Sequence, residues 1–314
     1  MTDTLGSIGE SAVLQRIFPR LPAASAELLG PGDDAAVIAT PDGRVAITTD
    51  MMIHGPDFRL SWSTAYDLGW KAAASNLADI AAMGAKPTAL VVALAAASDT
   101  PVSFLEEFAD GLREGCAAMA PGCGVVGGDL SVSNTLTIAV TAFGDLEGRA
   151  PVVRSGANVG DVVAVSGALG AAAEGLRLLF SLGEPDAATA AALKLTHPVQ
   201  VAAQLRPHPP IADGVAAALA GATAMLDLSD GLAIDARRLA VASGVALDLR
   251  ASRAELDGGE DHSLLATFPP DSVLPGGFRA IGTVLAGDGV LAYGVPYEER
   301  SGWDPYEGWN GAAG

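Results

Sequence analysis

The sequence predicts an α+β fold in two domains, each an α/β unit with a mixed, largely antiparallel sheet packed by helices. Three observations predict it. At 314 residues the chain is comfortable for two compact domains. Strand-length and helix-length apolar segments alternate along it, and the pattern restarts after Gly148-Arg149-Ala150-Pro151, a polar break between two apolar blocks. A Pro-Asp-Gly turn at residues 41–43 separates two strand-like runs, the mark of an antiparallel hairpin. The expected domains are residues 1–148 and 149–314.

Half the residues are hydrophobic and 18% are charged, so the chain can bury large cores and is not disordered. A net charge of −19 argues against nucleic acid or anionic membranes as partners. Cys116 and Cys123 form no Cys-x-x-Cys, which argues against a disulfide framework or a structural zinc site. Residues 1–10 lack a cationic-then-apolar signal pattern, and the longest apolar stretches are shorter than a membrane span. The expectation is a soluble cytoplasmic protein.

Glu10 to Phe18 reads as a short helix stopped by Pro19. The hairpin about Asp42 would then bring Asp34 and Asp50 together as cross-strand neighbours. Opposed like charges destabilise a sheet. Either a bound cation turns that cost into a site, or the two carboxylates splay into water. Ser63 to Met83 reads as a helix ended by Gly84 and Pro87, apolar nearly all round and therefore buried. Asp67, Lys71, Ser75 and Asp79 recur on one stripe of it. A buried polar stripe needs partners: either Lys71 satisfies the carboxylates internally, or the stripe faces a metal and phosphate site. Thr88 to Ala97 reads as a strand buried on both faces, and Pro101 opens a helix running to Ala120. Gly122, Gly124 and Gly127 match dinucleotide spacing, but no helix opens after Gly127. The expectation there is a glycine turn that lets backbone approach a phosphate, with Asp129 on a metal. Asn134 to Gly144 is a further strand.

In the second half Arg154 sits in a Gly- and Ser-rich turn, where it either grips a phosphate or lies exposed. Val162 to Ser166 reads as a strand; Gly167 to Leu182, Leu193 to Arg206 and Ile211 to Ala220 read as helices. At Met225 to Leu232 an apolar run ends in Asp227 and Asp230, Gly231 permits a sharp turn, and an amphipathic helix follows. Carboxylates fixed at a strand end suit a hard cation such as Mg²⁺, while an Asp helix cap is the plainer alternative. Val245 to Leu249, Ser263 to Phe268, Phe278 to Ala286 and Gly289 to Tyr293 read as strands. The aromatic tail 301–309 packs on the body or stacks on a flat ligand.

The chain contains no Walker A sequence, no protein-kinase motif set and no H-E-x-x-H, and its four histidines lack ligand spacing. What remains is a surplus of Asp at strand ends beside glycine turns. Such a pocket repels phosphates unless divalent cations intervene; with several Mg²⁺ it becomes a phosphoryl-transfer site. The residues by themselves reach a Mg²⁺-dependent nucleotide or phosphate enzyme.

Gly32-Asp33-Asp34-Ala35, Thr48-Thr49-Asp50, residues 76–85, Gly127-Gly128-Asp129, Arg154-Ser155-Gly156, residues 227–231 and Gly258-Gly259-Glu260-Asp261, in this order, resemble the thiamine-monophosphate kinase family. That family belongs to the superfamily of aminoimidazole ribonucleotide synthetase and selenophosphate synthetase. The resemblance covers nearly the whole chain. It implies the aminoimidazole ribonucleotide synthetase-like fold, ATP as co-substrate, several Mg²⁺ ions, and a homodimer built through the N-terminal domains. It implies direct in-line transfer of the ATP γ-phosphate to thiamine monophosphate, giving thiamine diphosphate and ADP. By motif, Asp34, Thr48, Thr49, Asp50, Asp79, Asp129, Asp227 and Asp230 are implied as Mg²⁺ ligands, with Asp230 and Arg154 catalytic. Gly128, Asp129, Arg154 and Ser229 are implied as ATP contacts. Glu260 is implied as a substrate contact, as is Asp57, where some members carry His. Either Trp303 or Trp309 would stack on the substrate. No cysteine precedes Cys116, unlike selenophosphate synthetase, and the chain ends in Gly314 rather than the Cys of the hydrogenase-maturation relative. A non-catalytic cation or nucleotide sensor is the rival of another class; it would bind ATP without releasing ADP.

Overall fold

The structure is a computed structural model that describes residues 3–31, 36–181 and 187–299. Asp34, Trp303 and Trp309 lie outside the described residues, and so does the aromatic tail. Among the described residues the first half carries α1 (Leu5–Ile8), α2 (Glu10–Ile17), β1 (Glu27–Leu29), β2 (Val37–Ile38), β3 (Ala46–Ile53), α3 (Ala65–Ala82), β4 (Lys86–Ala96), α4 (Val102–Met119), β5 (Gly124–Val132) and β6 (Thr137–Asp145). The second carries β7 (Val162–Ser166), α5 (Ala171–Phe180), α6 (Ala187–Thr196), α7 (Pro198–Leu205), α8 (Ile211–Leu219), β8 (Ala224–Leu228), α9 (Leu232–Ser243), β9 (Ala246–Leu249), α10 (Arg253–Asp257), β10 (Ser263–Phe268), β11 (Arg279–Leu285), β12 (Gly289–Ala292) and β13 (Val295–Pro296). None of the described helices is long and apolar enough to cross a membrane.

A four-stranded sheet runs β3-β6-β4-β5, with only β4 and β5 parallel. A seven-stranded sheet runs β13-β12-β9-β11-β7-β10-β8, with only β12 and β9 parallel. Both sheets are mixed and largely antiparallel, as the sequence predicts, and the chain passes from one to the other between Asp145 and Val162. Helix α3 lies between them. Its capping box, Thr64 with Asp67, starts it, and Gly84 at φ 70° turns the chain after it. With apolar residues on every side it must be covered all round. Leu77 and Ile80 join one buried cluster with Leu90 and Ile138 of the first sheet and Met225, Leu264 and Phe268 of the second. Gly69 and Gly111 let α3 and α4 touch backbone to backbone: a Cβ on Gly69 would sit 2.0 Å from the Phe108 carbonyl, and one on Gly111 2.1 Å from that of Tyr66.

Three local expectations are corrected. The hairpin about Asp42 does not form: β2 pairs with β1, and β3 pairs along its whole length with β6, Ala46 opposite Gly144 and Ile53 opposite Thr137. Two-residue β2 cannot satisfy the backbone of eight-residue β3, whereas nine-residue β6 can. The expected glycine turn at 122–129 is instead strand β5, with a bulge where Leu90 faces Val125 and Val91 faces Gly127. Gly128 makes that pairing possible, because a Cβ there would lie 2.0 Å from the Val92 carbonyl. The helix expected over 193–206 is two helices, α6 and α7, split at His197 because Pro198 has no N–H to continue the ladder.

Candidate active site

Strands β3 and β8, helix α3 and the loop 258–262 meet at one place, and each brings carboxylates. Side chains alternate along a strand. In β3 this turns Thr48, Asp50 and Met52 toward α3, where the Thr48 hydroxyl donates to Asp79 Oδ2 at 2.8 Å and the Asp50 N–H donates to Asn76 Oδ1 at 3.2 Å. Thr49 faces the other way, its hydroxyl donating to the Val140 carbonyl at 2.9 Å. From the second sheet, β8 delivers Asp227, its neighbour on β10 being Leu264. Loop 258–262 folds back over the end of β8: the Glu260 N–H donates to the Ser229 carbonyl at 2.7 Å and the His262 N–H to that of Leu228 at 3.0 Å. Glu260 and His262 hold left-handed backbone, φ 70° and 51°, an uncommon conformation for non-glycine residues that marks a tightly determined loop.

The electrostatics confirm the convergence. Burial, then the charges of Asp227 and Asp50, push the Asp79 carboxyl up to about 7, against the pull of the Thr48 hydroxyl. Asp50 is exposed to the cleft, yet the walls desolvate its carboxyl, and Asp227, Glu260 and Asp230 raise it further while His262 pulls it down. Burial lowers the His262 imidazole, but Asp227, with Oδ2 3.5 Å from Nδ1, and Glu260 outweigh it and leave it raised. Sequence spacing alone dismisses His262; its signal is that it immediately follows the Gly258–Asp261 motif.

Asp230 pairs with Arg238 at 2.6 Å, and Arg238 pairs equally closely with Asp235. Asp235 Oδ2 accepts the N–H groups of Asp230 at 3.1 Å and Gly231 at 3.2 Å. Asp235, not Asp227 or Asp230, therefore satisfies the start of α9, which removes the capping alternative for the two motif aspartates. Neither Asp235 nor Arg238 is visible in the sequence reading, although their spacing of three on a helix permits the pair.

The polar stripe of α3 is resolved by tertiary partners. Asp67 takes Lys194 at 2.9 Å and Arg206 at 3.3 Å, and Lys71 pairs with Glu260 rather than with its own helix. Asp57 accepts the Ile53 N–H at 2.7 Å, and burial raises its carboxyl.

The remaining expected residues lie apart. Gly128 shares a cross-strand row with Val92, Val140 and Asp50, so three strand spacings of about 4.8 Å, roughly 14 Å, separate it from Asp50. Asp129 falls in the next row with Ala93, Ala139 and Met51, on the opposite face from Asp50. Gly128 and Asp129 border an apolar cavity of about 810 Å³ between β4, β5 and α4, walled by Leu105, Phe108, Leu112 and Val126. Arg154 is exposed in a turn whose preceding residue, Val153, accepts the Met225 N–H; its guanidinium forms no ion pair among the described residues.

No three His, Cys, Asp or Glu side chains among the described residues already converge as a metal cage. The donor chemistry nonetheless fits Mg²⁺: the carboxylates of Asp50, Asp79 and Asp227 lie near enough that Asp227 raises the other two, the Thr48 hydroxyl is beside Asp79, and Mg²⁺ is ordinarily held by one or two carboxylates with phosphate oxygens and water.

Residues 32–146 match the family model described as AIR synthase related protein, N-terminal domain. The thiamine-monophosphate kinase of Mycobacterium tuberculosis is 43% identical over 327 aligned residues, covering 98% of this chain and 92% of the relative. That of Corynebacterium glutamicum is 38% identical, covering 90% of this chain and 87% of the relative. A solved structure, AaThiL complexed with AMPPCP and TMP, superposes with a TM-score of 0.72 at 32% identity, covering 86% of this chain and 90% of that one.

Proposed function

The chain belongs to the thiamine-monophosphate kinase family, and we infer that it phosphorylates thiamine monophosphate with ATP, giving thiamine diphosphate and ADP. The observation that carries this reading is the acidic cluster of Asp50, Asp79, Asp227 and Asp230. Drawn from both sheets, it has too much negative charge to accept phosphates by itself. Thr48, Asp50, Asp79, Asp227 and Asp230 would hold Mg²⁺, with Asp34 as a further candidate. The ions when bound would bridge phosphate oxygens and neutralise developing charge.

The protein's own part is positioning. The acceptor is a phosphate oxygen, already anionic, so no strong general base is needed, and none of the side chains has to remove a proton. Thr48 and Asn76 fix Asp79 and the Asp50 backbone, while Arg238 and Asp235 fix Asp230. The apolar cavity suits the adenine, with Gly128 and Asp129 at its rim facing the ribose and phosphates. The roughly 14 Å between the Gly128 and Asp50 backbones would be bridged by the triphosphate together with the Asp50 side chain and the ions it would hold. Arg154 and Ser229 are the proposed further ATP contacts. Glu260 and Asp57 are proposed for the substrate's cationic and amino groups, with Trp303 or Trp309 stacking on its ring.

The direct test measures ADP release from purified protein with ATP and Mg²⁺, with and without thiamine monophosphate. Release that depends on thiamine monophosphate, with thiamine diphosphate formed in equal amount, is expected. ATP binding without that release would support a sensor instead.

A homodimer is the second part of this reading. β3 is an edge strand, and its outward residues Ile47 and Met51 are each 59% exposed, an apolar edge that a second copy would cover. Sedimentation equilibrium is expected to give twice the chain mass, and Met51→Lys is expected to shift it toward the monomer. A cytoplasmic location is proposed as well, supported by the use of ATP as co-substrate.

A further inference from the structure

Lys71 has no role in the chemistry described above, yet it sits beside the groups proposed to meet the substrate. It projects from α3, which packs against both sheets, and its ammonium pairs with Glu260, on the loop that closes over β8. The Lys71 side chain keeps only 8% of its surface exposed, whereas that of Glu260 keeps 29%. The ammonium therefore lies behind the carboxylate, and the carboxylate faces the cleft. The nearest alternative partner on its own stripe, Asp67, is taken by Lys194 and Arg206. Asp57 lies within range of both groups: its carboxyl is raised by burial first and by Glu260 as well, and lowered by Lys71. Two carboxylates proposed for one substrate would repel each other across the pocket; the buried Lys71 ammonium, paired with Glu260 and lowering Asp57, offsets that repulsion. It also holds Glu260 charged. Burial pushes the Glu260 carboxyl up, and Lys71 together with His262 outweighs burial so that it stays below its ordinary range.

We propose that Lys71 is a positioning residue for the acceptor: it locks the Glu260 side chain from behind, so that the carboxylate presents a fixed negative charge to the cationic heterocycle of the substrate. The proposal rests on the thiamine-monophosphate reading of the site. It assigns Lys71 to recognition of the ring system, not of the phosphates.

The test is Lys71→Met, with steady-state kinetics and thiamine binding by calorimetry; thiamine has the ring system without a phosphate. The KM for thiamine monophosphate is expected to rise about tenfold or more, with kcat and the KM for ATP changed by less than about threefold. Thiamine binding is expected to weaken by a similar factor. Lys71→Arg is expected to restore most of the loss, and adding Glu260→Gln to Lys71→Met is expected to cost little more, because the pair acts as a unit. An unchanged KM for thiamine monophosphate overturns the proposal. So does a raised KM with unaltered thiamine binding, which would put the ammonium on the phosphate. So does a parallel rise in the KM for ATP with a fall in Tm, which would make the residue merely structural. If Lys71→Met alone does not fold, the double variant carries the test: it leaves no unpaired charge, and wild-type thiamine affinity in it overturns the proposal. Wild-type protein that releases no ADP with thiamine monophosphate fails the functional reading itself, before any variant is made.

Discussion

Replacing Asp227 by Asn is expected to lower kcat by about a thousandfold at saturating Mg²⁺ while leaving the fold intact, since a group that stabilises transferred charge contributes several kcal/mol and each 1.36 kcal/mol is tenfold. The substitution keeps the shape and removes the charge. Asp227 is 8% exposed, at the end of a strand buried along its length, so its carboxylate cannot swing into water. Its charge raises both Asp50 and Asp79, so the metal-free cluster is a repulsive arrangement that Asn relieves. The melting temperature without Mg²⁺ at pH 8 should therefore equal or exceed that of the wild type, while the stabilisation by added Mg²⁺ shrinks. Loss of activity together with a stability gain is the signature of a charge kept for function. Turnover within about threefold of wild type at saturating Mg²⁺ would remove Asp227 from the metal set. Asp230→Asn should also lose most of its kcat, but it releases Arg238 from a 2.6 Å ion pair, whereas Asp227 gives up only the longer 3.5 Å contact with His262.

The second large effect is on pH. In the folded protein the Asp79 carboxyl is pushed up to about 7 from an ordinary 3.8, by burial first and then by Asp227 and Asp50. Between those values the folded state holds a proton that the unfolded chain has lost. The sign follows: the stability this carboxyl contributes to the metal-free protein is fully present below 3.8, falls as pH rises from there toward about 7, and is gone above it. Asp235, raised to about 7 by burial, Asp230 and Asp227, acts in the same direction. Mg²⁺ requires the ionised form, so its affinity runs the opposite way. With one carboxyl titrating near 7, lowering the pH from 8 to 5.5 should weaken Mg²⁺ binding about thirtyfold. Thermal unfolding across this range with and without Mg²⁺ tests both statements. A metal-free Tm that climbs from pH 5.5 to 8, or Mg²⁺ stabilisation equal at both, would contradict them.

Much of the second half was legible in the sequence because its signals are local. Val162–Ser166 and Ser263–Phe268 are strands with the expected bounds, and Leu232 opens a helix after Gly231 as its turn requires. The long helix over α3 was legible for the same reason: eighteen residues, apolar nearly all round, with Gly84 beyond the end. The failures were non-local. Whether β3 turns back on β2 or pairs with β6 is a competition between partners some ninety residues apart, and a Pro-Asp-Gly turn is equally compatible with either. Gly127-Gly128-Asp129 has the composition of a turn, but the contact that makes it a strand is with Val92, whose carbonyl needs the space a side chain would fill.

The site divides along the same line. Residue type and order by themselves determined that this is an acidic, glycine-punctuated phosphate enzyme and which aspartates to consider, because a motif is a property of neighbouring residues. Only the tertiary structure decided which of them meet. It gathered Asp50, Asp79, Asp227 and Asp230 and left Asp129 on the other face of the sheet; it gave the start of α9 to Asp235, and it tied Lys71 to a glutamate 189 positions away. The physical reason is that a charge acts through space within a few ångströms, and those distances are set by strand register and by how one buried helix packs against two sheets, which no run of adjacent residues contains.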